Sequence, residues 1–195
     1  MKLKLISAAL LFLVVSSAFI APFKTVTYKV DAKKSSLTWV GKKLTGSHNG
    51  SIALQSGNLL FDGKKLSGGN FVINMTTIKD ADKSDKLEGH LKADDFFGVD
   101  KFATSTFTVR KVIPGKGNNV TVTGDLTIKG IASSVSFPAL VVWNSDGSVT
   151  ATADKIIVDR TKYGIKFRSK GMFPDVGDKM IYDEFELAIK LVAKK

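Results

Sequence analysis

The chain has 195 residues, with 29 Lys and Arg against 18 Asp and Glu, a formal net charge of +11 and no Cys. That length suits one domain with a sizeable core, and the lack of Cys excludes disulfides and thiolate chemistry. The charge admits nucleic acid, an anionic membrane surface or an anionic ligand, but the basic residues are scattered singly or as pairs such as Lys33-Lys34, Lys42-Lys43 and Lys64-Lys65, as on a solvated surface.

Lys2 and Lys4, the apolar run Leu5 to Val15 and the small residues Ser16-Ser17-Ala18 follow the order of an export signal. Cleavage is expected after Ala18. Ala21 is a poorer site, because Pro22 would follow the cut and Ile20 is poor two places before it. Residues 1–18 then form a signal peptide and residues 19–195 one exported domain. The expected location is the periplasm, or the cell exterior where there is no outer membrane. The apolar run is too short to span a bilayer comfortably, and export weighs against nucleic acid as a partner.

Period-two alternation dominates the exported chain. Leu37 and Trp39 alternate with Ser36 and Thr38, and Phe71, Ile73 and Met75 with Val72, Asn74 and Thr76. Lys79 to Ala93 breaks the pattern: it has few β-branched residues, and Ser84 can cap a short helix over Asp85 to Leu91. Asp94-Asp95-Phe96-Phe97 then turns the chain back. Phe107 and Val109 resume the alternation, followed by Val120, Val122, Leu126 and Ile128, by Val135 and Phe137, and then by Leu140 and Val142. Pro138 marks a bulge or an edge position. Phe185, Leu187, Ile189 and Leu191 make a clean last strand. Between these runs lie Ser56-Gly57, Asp62-Gly63, Ser67-Gly68-Gly69, Pro114-Gly115, Lys129-Gly130 and Ser145-Asp146-Gly147, which are turn sequences. Many short strands with Gly-rich turns argue for a sandwich or barrel of about eight strands.

Catalytic signals are thin. The chain has two His, His48 and His90, and neither is obviously placed to act as the base for a nucleophilic Ser. His90 with Glu88, Asp94 and Asp95 would make at most a weak oxygen-rich site. A hydrogen-bonded His on a polar helix is the expected reading, so no metal, no cofactor and no enzyme activity are expected. Apolar side chains of one parity could either pack a barrel or surround one ligand, and periodicity leaves both open.

Two stretches are required by neither composition nor periodicity: LEGHLKADDFF from Leu87 to Phe97 and TVTGDLTIKGI from Thr121 to Ile131. In this order, in a signal-bearing β-rich chain, they resemble the YceI family. Tyr28, Val30, Asp31, Ser35, Leu37 and Trp39 match the family's opening strand, and Gly50 a Gly before the next one. Thr77-Ile78 stands where the family often has Ser-Ile. His90, Leu91, Asp95, Phe96 and Phe97 match its central motif, Gly124, Leu126, Thr127 and Gly130 its Gly-x-Leu-Thr-x-x-Gly hairpin, and Arg160 with Tyr163-Gly164-Ile165 a later segment. Lys34 and Lys43 stand where the family often has His, and Leu87-Glu88 replaces an Arg-Asp pair. The resemblance covers Tyr28 to the C-terminus.

It implies an all-β, lipocalin-like antiparallel barrel of about eight strands, with a short helical segment capping one end. It also implies non-covalent binding of a long apolar lipid (polyisoprenoid, isoprenoid quinone or fatty-acyl compound), as a carrier or stress-protective store. Leu37, Trp39, Phe71, Ile73, Met75, Phe97, Phe107, Leu126 and Phe137 are the candidate lumen residues. His90, Lys92, Arg160 and Lys162 are the candidate head-group residues, although Arg160 could instead pair with Asp159 or another carboxylate. A transient contact with an anionic membrane surface and a homodimer both stay open. The rival reading is a ligand-free packed barrel acting as a structural or interaction protein of the envelope.

Overall fold

The computed structural model describes residues 24–169 and 171–195, so the expected signal peptide lies outside the described residues. These residues form nine strands: β1 (Val26–Val30), β2 (Ser36–Lys43), β3 (Gly46–Asp62), β4 (Lys65–Asp80), β5 (Thr104–Pro114), β6 (Asn119–Ile128), β7 (Ile131–Trp143), β8 (Val149–Asp159) and β9 (Ile181–Lys194). A helix, α1 (Asp85–Lys92), lies between β4 and β5, and two 3-10 turns, Arg160–Tyr163 and Pro174–Lys179, lie between β8 and β9.

The ring runs β2-β9-β8-β7-β6-β5-β4-β3 and closes through β3–β2, antiparallel throughout. Nine strands fill eight places because β1 and β2 share one. β2 pairs with the first part of β3 (Leu37 opposite Ile52) and β1 with its last part (Val26 opposite Phe61). Both also pair with β9, at Lys29–Lys194 and Ser36–Lys190. The break between them is a local turn. The Asp31 carboxylate accepts from the N–H groups of Lys33 and Lys34 at 3.0 and 3.3 Å, and Ser35 Oγ donates to the Asp31 carbonyl at 2.7 Å. Val192 N–H then donates to Ser35 Oγ at 3.0 Å, tying the turn to β9.

The Lys129-Gly130 hairpin has positive φ at both central residues, 52° and 74°, with Ile128 opposite Ile131. That is the two-residue turn whose twist suits a hairpin. Gly124 is needed for space, since a Cβ there would lie 2.5 Å from the Phe107 ring and from the Thr108 carbonyl. Gly50 lies inside β3 rather than before a strand, and a Cβ there would collide with the Lys79 carbonyl.

Pro138 causes no bulge. The β6–β7 register is continuous through Thr121–Pro138, and pairing of β7 with β8 begins only at Leu140. Pro138 therefore sits where β7 has a partner on one side, which suits a residue without an N–H. Parity is consequently unbroken: Phe137, Ala139 and Val141 are buried, and Leu140 is exposed. α1 begins where expected, with Ser84 Oγ accepting from Leu87 N–H at 3.3 Å. It runs one residue further than expected, to Lys92. Asp85 and Glu88 in the first turn and His90 and Lys92 in the last complement its dipole.

Candidate functional site

The inward faces of the strands leave two apolar cavities inside the ring, of about 130 and 100 Å³. Leu37, Ile73, Leu126 and Leu187 belong to the walls of both and form a waist between them. All nine residues expected in the lumen line it. Trp39, Met75 and Phe97 face the larger cavity, Phe71, Phe107 and Phe137 the smaller, and Leu37, Ile73 and Leu126 both. Period-two geometry puts the strand residues among them on one face, because successive residues of a strand point to opposite faces.

The smaller cavity lies away from α1, with no residue of that helix in its wall. Beyond it, Tyr28, Phe61 and Trp143 pack edge-to-face with centroids 5.0–5.4 Å apart, and Phe61, Val149 and Ala193 are fully buried. The larger cavity lies toward α1. Leu91 of α1, and Phe96 and Phe97 after it, are part of its wall, so this segment covers that end of the barrel. The same cavity reaches the exposed residues Lys42, Tyr182 and Glu184 along the β2–β9 seam. There the register slips: Gly41 faces Phe185 but Lys43 faces Ile181, so three β9 residues lie opposite Lys42 alone. A bulge of this kind loosens the ladder and opens the wall.

The larger cavity holds one stranded hydroxyl. Ser105 is 4% exposed, and its Oγ has no hydrogen-bond partner. A buried donor left unmade is costly, and in an apolar wall it can fix the orientation of whatever fills the space.

The head-group expectations fare differently. Arg160 is buried and lines the larger cavity, but its guanidinium is a structural clamp. Nε donates to the Tyr182 carbonyl at 3.0 Å, Nη1 to the Ile165 carbonyl at 3.0 Å, and Nη2 to the Ile181 carbonyl at 2.9 Å and Asp183 Oδ1 at 3.3 Å. Burial lowers its pKa from the ordinary value, while Asp183 and Asp159 oppose that shift. Asp159 instead caps the 3-10 turn by accepting from Thr161 N–H at 2.9 Å. Four of the five N–H groups of Arg160 are thus spent on the chain itself.

Lys162 is exposed, and neither it nor His90 or Lys92 is in the wall of either lumen cavity. His90 packs edge-on between Phe96 and Phe167, at 4.8 and 4.7 Å, with Nε2 2.8 Å from Asp95 Oδ2. It is the hydrogen-bonded His expected of a polar helix. Glu88 turns the other way, accepting from Lys79 Nζ at 2.6 Å and Asp80 N–H at 3.1 Å. Among the described residues, no hydrogen bond joins either His to a Ser hydroxyl.

The cation at the mouth is Lys42, which pairs with Glu186 at 2.7 Å. Sequence reasoning missed it, because only the β2–β9 bulge brings it there. It also left out Ile78, Ile128, Ile165, Phe185, Leu187 and Ile189 as lumen residues. The clean parity of the last strand could have supplied the final three.

Comparison with known proteins places this architecture. A UPF0312 protein of Staphylococcus aureus (strain bovine RF122 / ET3-1) is 41% identical over 92 residues, 44% of this chain and 50% of that protein. The chain thus spans about half the length of the curated relatives it matches. The BcnA structure of Burkholderia cenocepacia superposes with a TM-score of 0.68 at 26% identity, over 85% of this chain and 99% of that one. A polyisoprenoid binding domain from Saccharophagus degradans gives 0.67 at 17% identity, over 86% and 97%. The Campylobacter jejuni YCEI protein gives 0.56 at 17% identity, over 100% and 99%. The signature of the YceI-like domain matches residues 28–193, and the chain belongs to that family.

Proposed function

We propose that this protein binds one long apolar lipid, a polyisoprenoid, isoprenoid quinone or fatty-acyl compound, non-covalently in the barrel lumen. It acts without catalysis, as a periplasmic carrier or protective store. The observation that carries this reading is an apolar lumen running from the Tyr28–Phe61–Trp143 cluster toward α1, whose larger cavity reaches exposed residues of the β2–β9 seam. A tail enters hydrocarbon first, and a polar head stays at the mouth near Lys42 and Tyr182. Each methylene moved from water into such a lumen gains about 0.8 kcal/mol. The polyisoprenoid binding domain of Saccharophagus degradans has the same fold, which suits this ligand class. A long tail needs the waist at Leu37, Ile73 and Leu126 to open by side-chain rotation, joining the two cavities. Exposed Leu44 and Tyr182 and the chain's positive charge suit brief contact with an anionic membrane surface during loading.

The test is native mass spectrometry of the protein purified from its own cell envelope, followed by organic extraction. An added mass, released by solvent and identified as a long-chain lipid, is the expected result. The same spectrum reads monomer against homodimer. A bare polypeptide that also fails to take up a fluorescent isoprenoid analogue would leave a packed structural barrel as the better reading.

A further inference from the structure

Asp80, the last residue of β4, buries a carboxylate that the fold satisfies on one side only. Its side chain is fully shielded from solvent. Oδ2 accepts from Ser84 N–H at 3.2 Å. Oδ1 has no hydrogen-bond partner, and neither does the buried Nδ1 of His48, 3.9 Å away. Gly50 pairs with Asp80 across β3–β4, and His48, two residues earlier on the same face of β3, reaches the carboxylate. Asp82, in the turn after β4, adds a third group, and the ligand atoms of the three all lie within 4.8 Å of one another. A buried carboxylate facing an unbonded imidazole nitrogen is costly to keep, and a cation between them would remove that cost.

We propose that His48, Asp80 and Asp82 form a divalent-metal site of the zinc class. One imidazole nitrogen and two carboxylate oxygens are a donor set for a borderline ion, with the fourth position left to water. Bonds of about 2.0–2.1 Å set tetrahedral ligand atoms about 3.3 Å apart. The His48–Asp80 separation of 3.9 Å therefore has to close by only about half an ångström. Asp82 is exposed, so its side chain is free to swing in.

The outer contacts already aim Asp80. Ser84 N–H holds its second oxygen, and its own N–H donates to Glu88 Oε1 at 3.1 Å, the kind of support that orients a ligand. A bound ion would join the start of β3 to the turn that leads into α1, the helix covering the lumen.

Isothermal titration of Zn²⁺ into metal-stripped, untagged mature protein tests the site. One ion per chain is expected, with micromolar or tighter affinity. His48→Gln should weaken it at least tenfold and Asp82→Asn at least threefold, while His90→Gln leaves it unchanged. No uptake at micromolar Zn²⁺, undiminished affinity in His48→Gln, or loss of binding in His90→Gln would overturn the assignment. His48 is 37% exposed at its side chain, so its replacement should fold. If circular dichroism shows otherwise, Asp82→Asn alone carries the test, and unchanged affinity there overturns it.

Discussion

Trp39 Nε1 donates to the Lys79 carbonyl at 3.2 Å, and the amine of that same Lys79 donates to Glu88 of α1. One residue at the end of β4 thus joins the wall of the larger cavity to the helix that covers it. The arrangement needs Gly50, because any Cβ there would collide with that carbonyl and with the Trp39 ring.

Trp39→Phe keeps an aromatic ring in the cavity wall but removes the indole donor. We expect a loss of about 1 kcal/mol in unfolding free energy, measured by urea denaturation. Unchanged stability would mean that water replaces the bond without cost.

Glu88 carries a pH dependence whose sign is fixed. The hydrogen bond from Lys79 lowers its pKa below the ordinary 4.5, burial opposes this, and Asp80 N–H adds to the lowering. A depressed folded-state value means that the unfolded chain takes up the proton first. The stabilisation is therefore full above the ordinary value and is lost as pH falls through the depressed one. Glu88→Gln should lower the melting temperature at pH 7 and flatten its decline as pH falls below the ordinary carboxylate value. Parallel acid slopes in the two proteins would assign that decline to other carboxylates.

Ile73 stands at the waist, in the wall of both cavities. Ile73→Lys should abolish retention of lipid through purification, since an unpaired ammonium there is costly. Because that cost also falls on folding, Ile73→Phe serves as the apolar counterpart. It should narrow the waist and weaken long-chain analogues more than short ones in a fluorescence displacement assay.

Phe97 lines the larger cavity and meets Phe185 of β9 edge-on at 6.5 Å. Phe97→Ala removes a contact worth about 0.5–1.5 kcal/mol between the covering segment and the barrel. Dissociation of a fluorescent isoprenoid analogue should accelerate roughly 2–10-fold, with association nearly unchanged. An unaltered off-rate in a folded variant would make Phe97 ordinary wall.

The signal reading predicts an N-terminus at Phe19 in protein from the periplasmic fraction. Edman sequencing or intact mass reads this directly, and soluble periplasmic protein still carrying Met1 would contradict it.

The lumen is legible in the sequence because a strand has a period of two. One apolar residue facing inward assigns its neighbours, so Phe71, Ile73 and Met75 stand or fall together. The same logic does not reveal whether Pro138 shifts the parity of β7; the continuous β6–β7 register shows that it does not. α1 is legible from Ser84 and the scarcity of β-branched residues, both local effects.

Charged groups obey no such period. A resemblance in sequence groups Arg160, Lys162, His90 and Lys92, yet their side chains go to a structural clamp, to solvent, to an aromatic sandwich and to the end of a helix. Where each points depends on contacts with residues far along the chain, such as Ile181 and Asp183 for Arg160.

By itself the sequence determined the alternation, the turns, the helix cap and hence a β-rich sandwich or barrel with one apolar face to its strands, since all of these arise from neighbours in the chain. Only the tertiary structure decided that β1 and β2 share one place, that the β2–β9 slip puts Lys42 at the mouth, and that His48 faces Asp80. Each of these depends on register between strands distant in sequence, and register is set by the closure of the whole ring.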